Sequence, residues 1–271
     1  MNAAAAMPDT RIRTVELGPG RSVAVTLTET GNGRTALVLH GGGGPVTVLG
    51  IVEHLSGNMR VLTPVHPGWN GTPRPDWLSA VTDLAAAYLR LLEDEGRRDV
   101  LVIGSSMGGW IGADMAARDD GGLIVGLVLI DSVGVLVDGQ PVRDFFALDA
   151  RGVAEYSYHD PDRFYVDPAT VPPELAAQRA ANMATMRVFA GDPYMHDPGL
   201  AARLGRVEIP VLALWGDSDR IVTPEYGQAL AAAFPQAQFA LIGQAGHLPQ
   251  IEQPAATFGE LDAFVRKDVS R

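Results

Sequence analysis

The sequence predicts an α/β fold: a mostly parallel sheet covered by helices on both faces and interrupted by a helical insertion. Three observations predict it. Short apolar runs alternate along the chain with segments of helical periodicity. Most of those runs stop at glycine, histidine, serine or aspartate, residue types that turns and chemistry both use. One stretch, about residues 133–204, breaks the alternation and holds no convincing strand.

Taken in order, Val23 to Thr28 alternates apolar and polar residues, as an early antiparallel strand does. Thr35 to His40 is a short apolar run stopped by four glycines, and Arg60 to Val65 ends in His66-Pro67-Gly68. Val100 to Ile103 stops at Gly104, and Leu123 to Ile130 stops at Asp131. Pro210 to Trp215 and Gln238 to Ile242 complete the set. Continuous apolar runs of this length suit strands buried on both faces. Between them, Leu78 to Glu95 places apolar residues at helical spacing with charges opposite. Met107 to Arg118 follows Ser106 directly. Thr223-Pro224-Glu225 starts a helix to Ala233, with proline tolerated in the first turn. Ala256 to Lys267 closes the chain as a last helix.

Ligands of such sheets bind at the carboxyl ends of the strands. His40-Gly41-Gly42, His66-Pro67-Gly68, Ser106, Asp131, Asp219 and His247 all fall at or soon after strand ends, so a single site is expected there. The organisation expected is a flexible extension over residues 1–10, a core over 11–132 and 205–271, and a helical lid over 133–204.

Composition excludes several function classes. The net charge of -11, from 21 basic and 32 acidic side chains, repels phosphate backbones and gives no pull toward anionic lipid. The absence of cysteine rules out disulfides, thiol catalysis and Cys-based zinc sites. None of the six histidines forms H-x-H or H-E-x-x-H, so neither metal nor cofactor is expected. The first residues lack a basic n-region and an apolar core, and no apolar stretch approaches the roughly 20 residues that span a bilayer. The expectation is a cytoplasmic monomer or homodimer acting on a small molecule, with no nucleic acid and no membrane as partner.

Gly104-Ser105-Ser106-Met107-Gly108 matches G-x-S-x-G in a strand–turn–helix setting. A serine on so tight a turn needs neighbours almost without side chains. The turn exposes the hydroxyl and aims the following helix N-terminus at it, which favours negative charge there. Ser105 is a rival nucleophile, but the register puts Ser106 in the exposed position. The glycines of His40 to Pro45 let backbone N–H groups approach a developing oxyanion, with Gly42 and Met107 as the expected donors. That loop lacks the Gly-Lys-Ser/Thr of a phosphate loop, and Val65-His66-Pro67 stands where a dinucleotide site needs an acid. An orienting carboxylate must accompany a catalytic imidazole. Asp219 is favoured, with Asp217 as a turn residue and Asp131 as a third candidate. His247 then completes the order Ser…Asp…His as the proton carrier.

On these residues the chain resembles the α/β-hydrolase fold family. The likeness covers roughly residues 20–130 and 205–265. It rests on His40-Gly41-Gly42-Gly43, Pro67 to Thr72, Gly104 to Gly108, Trp215 to Asp219 and Gly246 to Pro254. It implies an eight-stranded, mainly parallel sheet with a cap, supports Asp219 over Asp217, and makes Glu252 a support residue. His66 departs from it, since many relatives carry aspartate before Pro-Gly. Ser106 stands where haloalkane dehalogenases and epoxide hydrolases carry aspartate, which disfavours those activities.

The activity expected from this likeness is a serine hydrolase cleaving a carboxylic ester of a small, largely apolar substrate through an acyl-enzyme. The glycine-rich loop is similar to that of meta-cleavage-product hydrolases, so C–C bond cleavage is the alternative, with lactone hydrolysis or perhydrolysis beside it. A non-catalytic ligand-binding protein on the same fold is the third reading. Phe145, Phe146, Tyr156, Tyr158, Phe164, Met183, Met186 and Phe189 are expected to line an apolar pocket, with Trp69 and Trp110 joining from the body. The competing reading of these side chains is that they pack the lid onto the body.

Overall fold

The computed structural model describes residues 8–269. The first half runs β1 (Asp9–Glu16), β2 (Ser22–Thr30), β3 (Thr35–Leu39), α1 (Leu49–Ser56), β4 (Arg60–Val65), α2 (Val81–Asp94), β5 (Val100–Ser105), α3 (Met107–Arg118) and β6 (Ile124–Ile130). An insertion follows with α4 (Ala150–Ser157), α5 (Pro161–Phe164), α6 (Pro173–Ala190) and α7 (Leu200–Leu204). The chain then returns through β7 (Val211–Gly216), α8 (Pro224–Ala232), β8 (Ala237–Ile242), α9 (Pro249–Glu252) and α10 (Pro254–Phe264).

The strands form one eight-stranded sheet in the order β1-β2-β4-β3-β5-β6-β7-β8. β2 pairs antiparallel with β1 and β4, and every other pairing is parallel. β3 alternates its side chains between two cores. Leu37 and Leu39 pack with Leu84, Tyr88 and Ile111 on one face, while Ala36 and Val38 pack with Ile51, Leu261 and Phe264 on the other. Each fully buried leucine or isoleucine stabilises the fold by about 1.5–3 kcal/mol, so the centre of the sheet is a stiff floor.

β1 corrects the expected extension. Asp9 and Thr10 pair with Glu29 and Thr28, and the remainder of that extension, residues 1–7, lies outside the described residues. The strand escapes an apolar-run search because only Val15 in it is buried. Its backbone ladder and the Arg11 ion pairs with Glu29 and Glu95, at 2.8 and 2.7 Å, hold it instead. α1 was likewise unexpected, and it buries Ile51, Val52 and Leu55.

Strand order reverses beside β3, whose two neighbours are β4 and β5. The crossovers leave this point in opposite directions and open a crevice over the strands' carboxyl ends. The insertion between β6 and β7 contains no named strand among the described residues, only an isolated bridge from Gly134 to His196. α6 is tied to the body by a reciprocal amide pair. Asn182 Oδ1 accepts the Asn70 N–H at 2.8 Å, and Asn182 Nδ2 donates to Asn70 Oδ1 at 3.0 Å. α7 is tied to α3 by Arg203 and the buried Asp114 at 2.7 Å. No helix among the described residues is long and apolar enough to cross a membrane.

Candidate active site

β5 delivers Ser106 to the crevice on a strained turn, with φ 56° and ψ -118° at the serine. Glycine is required on both sides of it. A Cβ on Gly104 would lie 2.2 Å from the Gly108 carbonyl oxygen, and one on Gly108 would lie 2.2 Å from that of Leu39. α3 begins at the next residue, so the Met107 N–H is among the helix donors without an intrahelical partner. Gly41 and Gly42 come from the loop after β3 and line the same cavity as Ser106. Ser105, the rival serine, is buried and accepts from Gln250 Nε2 at 3.4 Å.

Residues far apart in sequence meet here. His247 Nε2 and Ser106 Oγ are 3.0 Å apart, and His247 Nδ1 lies 2.8 Å from Asp219 Oδ2. Both His247 and Asp219 are buried. The Nδ1 contact with a carboxylate sets Nδ1–H as donor and leaves Nε2 to accept from the serine. Asp219 Oδ1 accepts the N–H groups of Ile221 and Val222 at 2.8 and 3.2 Å. Asp217 is exposed and accepts from Ser218 Oγ at 2.8 Å, which is turn chemistry. Asp131, Asp219 and His247 form the one close cluster of histidine and carboxylate groups found among the described residues. Within that cluster the His247 Nδ1 contact with Asp219 Oδ2 is a direct hydrogen bond at 2.8 Å.

Two other histidines sit just beneath. His40 Nδ1–H donates to the Gly41 carbonyl at 2.7 Å, and its Nε2 accepts the His66 N–H at 3.1 Å. His66 Nε2–H donates to the His40 carbonyl at 2.8 Å, and its Nδ1 accepts from the Tyr88 hydroxyl at 2.6 Å. Both rings are fully buried and therefore neutral. Burial holds His40 well below the ordinary imidazole range, assisted by His66, and holds His66 down at about 4.

The cavity above Ser106 encloses about 180 Å³ and is mainly apolar. Phe145, Tyr158 and Met186 line it as expected. Val133, Val142, Val153, Met195 and Ile221 also line it and were not anticipated, since isolated aliphatic residues look like any core residue. A wider outer chamber of about 490 Å³ is lined by Phe146, Phe164, Met183, Arg179 and Arg187, and it shares Phe145 and Tyr158 with the inner one.

Four expected pocket residues lie elsewhere. Trp69 is fully buried beneath the glycine loop, where its Nε1–H donates to the Gly42 carbonyl at 3.0 Å. Its ring stacks on Phe189, which is also core and not pocket. Trp110 faces the loop after β6, so closely that a Cβ on Gly134 would lie 2.6 Å from its ring. Both indoles fill space between the body and its loops because a large ring gains most where it is fully enclosed. Tyr156 lies under the Arg143 guanidinium, 4.4 Å from its ring centroid, and does not line either chamber.

With this geometry in place, the chain matches the family model described as the alpha/beta hydrolase family over residues 36–260. Lipase 3 of a Moraxella species is 25% identical over 269 residues, covering 94% of this chain and 85% of that protein. A 2-hydroxy-6-oxononadienedioate/2-hydroxy-6-oxononatrienedioate hydrolase of Paraburkholderia phymatum is 26% identical over 264 residues, covering 86% of this chain and 88% of that protein. Among solved structures, a thermophilic esterase from Thermogutta terrifontis has a TM-score of 0.73 at 22% identity, covering 96% of this chain and 100% of that one. That last likeness speaks for the fold alone.

Proposed function

Given that the chain belongs to the alpha/beta hydrolase family, we propose that it is a serine hydrolase cleaving a carboxylic ester of a small, largely apolar substrate through an acyl-enzyme. The observation that carries this reading is the hydrogen-bonded chain Ser106–His247–Asp219, at 3.0 and 2.8 Å, on the floor of an apolar cavity.

His247 takes the Ser106 proton as the serine oxygen attacks the acyl carbon. Asp219 holds the imidazole in the required tautomer and offsets its transient charge. The N–H groups of Gly42 and Met107 receive the oxyanion, aided by the N-terminus of α3. His247 then protonates the leaving alcohol, and water, activated by the same imidazole, releases the acid. No step calls for a cofactor. The insertion acts as a cap. Its inner chamber of about 180 Å³ takes the smaller apolar group, and the outer chamber takes the larger one.

The test is a fluorophosphonate label, which should attach to Ser106 alone, paired with turnover of short activated esters. Ser106→Ala should lower kcat by about 10⁵ or more while the fold persists. Near-normal turnover by that variant would refute the assignment.

A second reading keeps the same side chains but cleaves a C–C bond. The Paraburkholderia relative is named for a dicarboxylate, and Arg179 and Arg187 line the outer chamber here. A panel of esters and ring-fission dienones separates the two readings, because turnover of a dienone alone would displace the ester.

A further inference from the structure

Asp131 ends the strand beside that of Ser106, yet the mechanism above gives it nothing to do. It is fully buried, with a left-handed backbone at φ 45°. Its Oδ1 accepts the Gly216 N–H at 3.0 Å, and its Oδ2 accepts no hydrogen bond. One oxygen of Asp131, one of Asp219 and one ring nitrogen of His247 lie within 4.8 Å of one another.

Two carboxyl groups this close, both shut away from water, do not ionise together. The surrounding donors decide which one carries the charge. Asp219 receives three, from the N–H groups of Ile221 and Val222 and from His247 Nδ1. Asp131 receives one, from Gly216. We propose that Asp131 is a positioning residue that keeps its proton at neutral pH and donates it from Oδ2 to the Asp219 carboxylate, holding that carboxylate in register with His247.

The bare Oδ2 follows from this arrangement. It is the donor end of a carboxylic acid, so no N–H has been supplied to it. Burial, with the negative neighbours Asp219 and Glu252, pushes Asp131 well above the usual carboxylate range. No proton is exchanged in turnover: Asp131 stays neutral and Asp219 stays charged through the cycle. The hydrogen bond matters because a buried carboxylate that can rotate loses its grip on the imidazole it orients.

The inference rests on the serine-hydrolase reading for its kinetic consequence, but its first test does not need turnover. Wild-type protein carrying carboxyl-labelled aspartate should show, at neutral pH, one aspartate resonance in the position of the neutral acid. That resonance should be missing from Asp131→Asn. A spectrum in which every aspartate is a carboxylate overturns the proposal, whether or not the variant folds.

The second test compares two substitutions. Asn offers the same pattern as the neutral acid, an acceptor for Gly216 and a donor for Asp219, and should keep kcat/KM within about threefold. Ala removes the donor and should lower it by about 10- to 100-fold, mainly through kcat. Equal losses in two folded variants, or an Ala variant as active as wild type, would overturn the positioning role. A chain that hydrolyses no ester would sink the proposed function and leave the spectroscopic result standing.

Discussion

Glu252 Oε2 accepts the Gly246 N–H at 2.6 Å, one residue before His247. Its Oε1 reaches the insertion and accepts the His159 N–H at 3.0 Å. One carboxylate therefore joins the turn that carries His247 to the end of α4. The His247 N–H strengthens that join by donating to the Ser157 carbonyl at 2.7 Å. The insertion and the imidazole are held as one piece, and Gly246 permits the approach, because a Cβ there would lie 2.3 Å from the Ser157 oxygen.

Glu252→Gln replaces an acceptor oxygen by an N–H donor facing N–H groups. Losing one charge-assisted bond of this kind costs about 1.5–3 kcal/mol. The expected outcome is a lowered Tm, a kcat reduced about tenfold, and faster amide exchange at both His159 and Gly246, whose N–H groups this carboxylate holds. Exchange that quickens at one of these and not the other would separate the two halves of the join.

The two aspartates after β7 should behave differently. Asp219→Asn removes the charge beside His247 and favours the wrong tautomer, so kcat should fall by about 10⁴. Asp217→Asn changes an exposed turn and should leave kcat nearly unchanged. Steady-state kinetics on one activated ester compares them directly.

His66 predicts an acid-sensitive fold. The unfolded imidazole binds its proton near 6.5 and folded His66 only at about 4, so the unfolded state binds more protons between those values. The stabilisation is complete above about pH 6.5 and is lost as pH falls toward 4, with a size on the order of 3 kcal/mol. Urea midpoints measured across this range should fall with acid. His66→Asn should reduce that slope without abolishing it, because His40 is held neutral by the same burial.

Glycine substitutions separate stability from chemistry. At Gly108 an added Cβ meets the Leu39 backbone oxygen at 2.2 Å, which cannot yield, so Ala there should cost about 3 kcal/mol or more. At Gly42 the nearest atom is the Met186 sulfur at 2.1 Å, the far end of a flexible side chain. Gly42→Ala should therefore stay folded and lose rate instead, by displacing Met186 into the cavity and crowding the oxyanion. Thermal melts and kinetics on both variants would reverse this ranking if the methionine were as rigid as the backbone.

Seven of the eight strands and the helices after β4 and β5 were legible in the sequence, because periodicity and turn chemistry act over a few residues. β1 was not, since its backbone ladder and the Arg11 ion pairs hold it rather than a run of buried apolar side chains. Ser106 and His247 were legible through the glycines and the chain order that surround them. The preference for Asp219 over Asp217 came from the pattern too, and the structure adds the reason, a buried contact for one and an exposed turn for the other.

What the sequence determined alone is therefore local: where the backbone must turn tightly, which runs must be buried, and which residue types stand at strand ends. Tertiary structure decided what each of those residues faces. It enclosed Trp69 and Trp110 in the body, brought Val133 and Ile221 into the cavity, and placed Asp131 against Asp219. Those outcomes depend on packing between distant segments, as in the Ser106–His247 contact across 141 residues. The energy of such contacts comes from excluded water and matched shape, and no short window of sequence contains either.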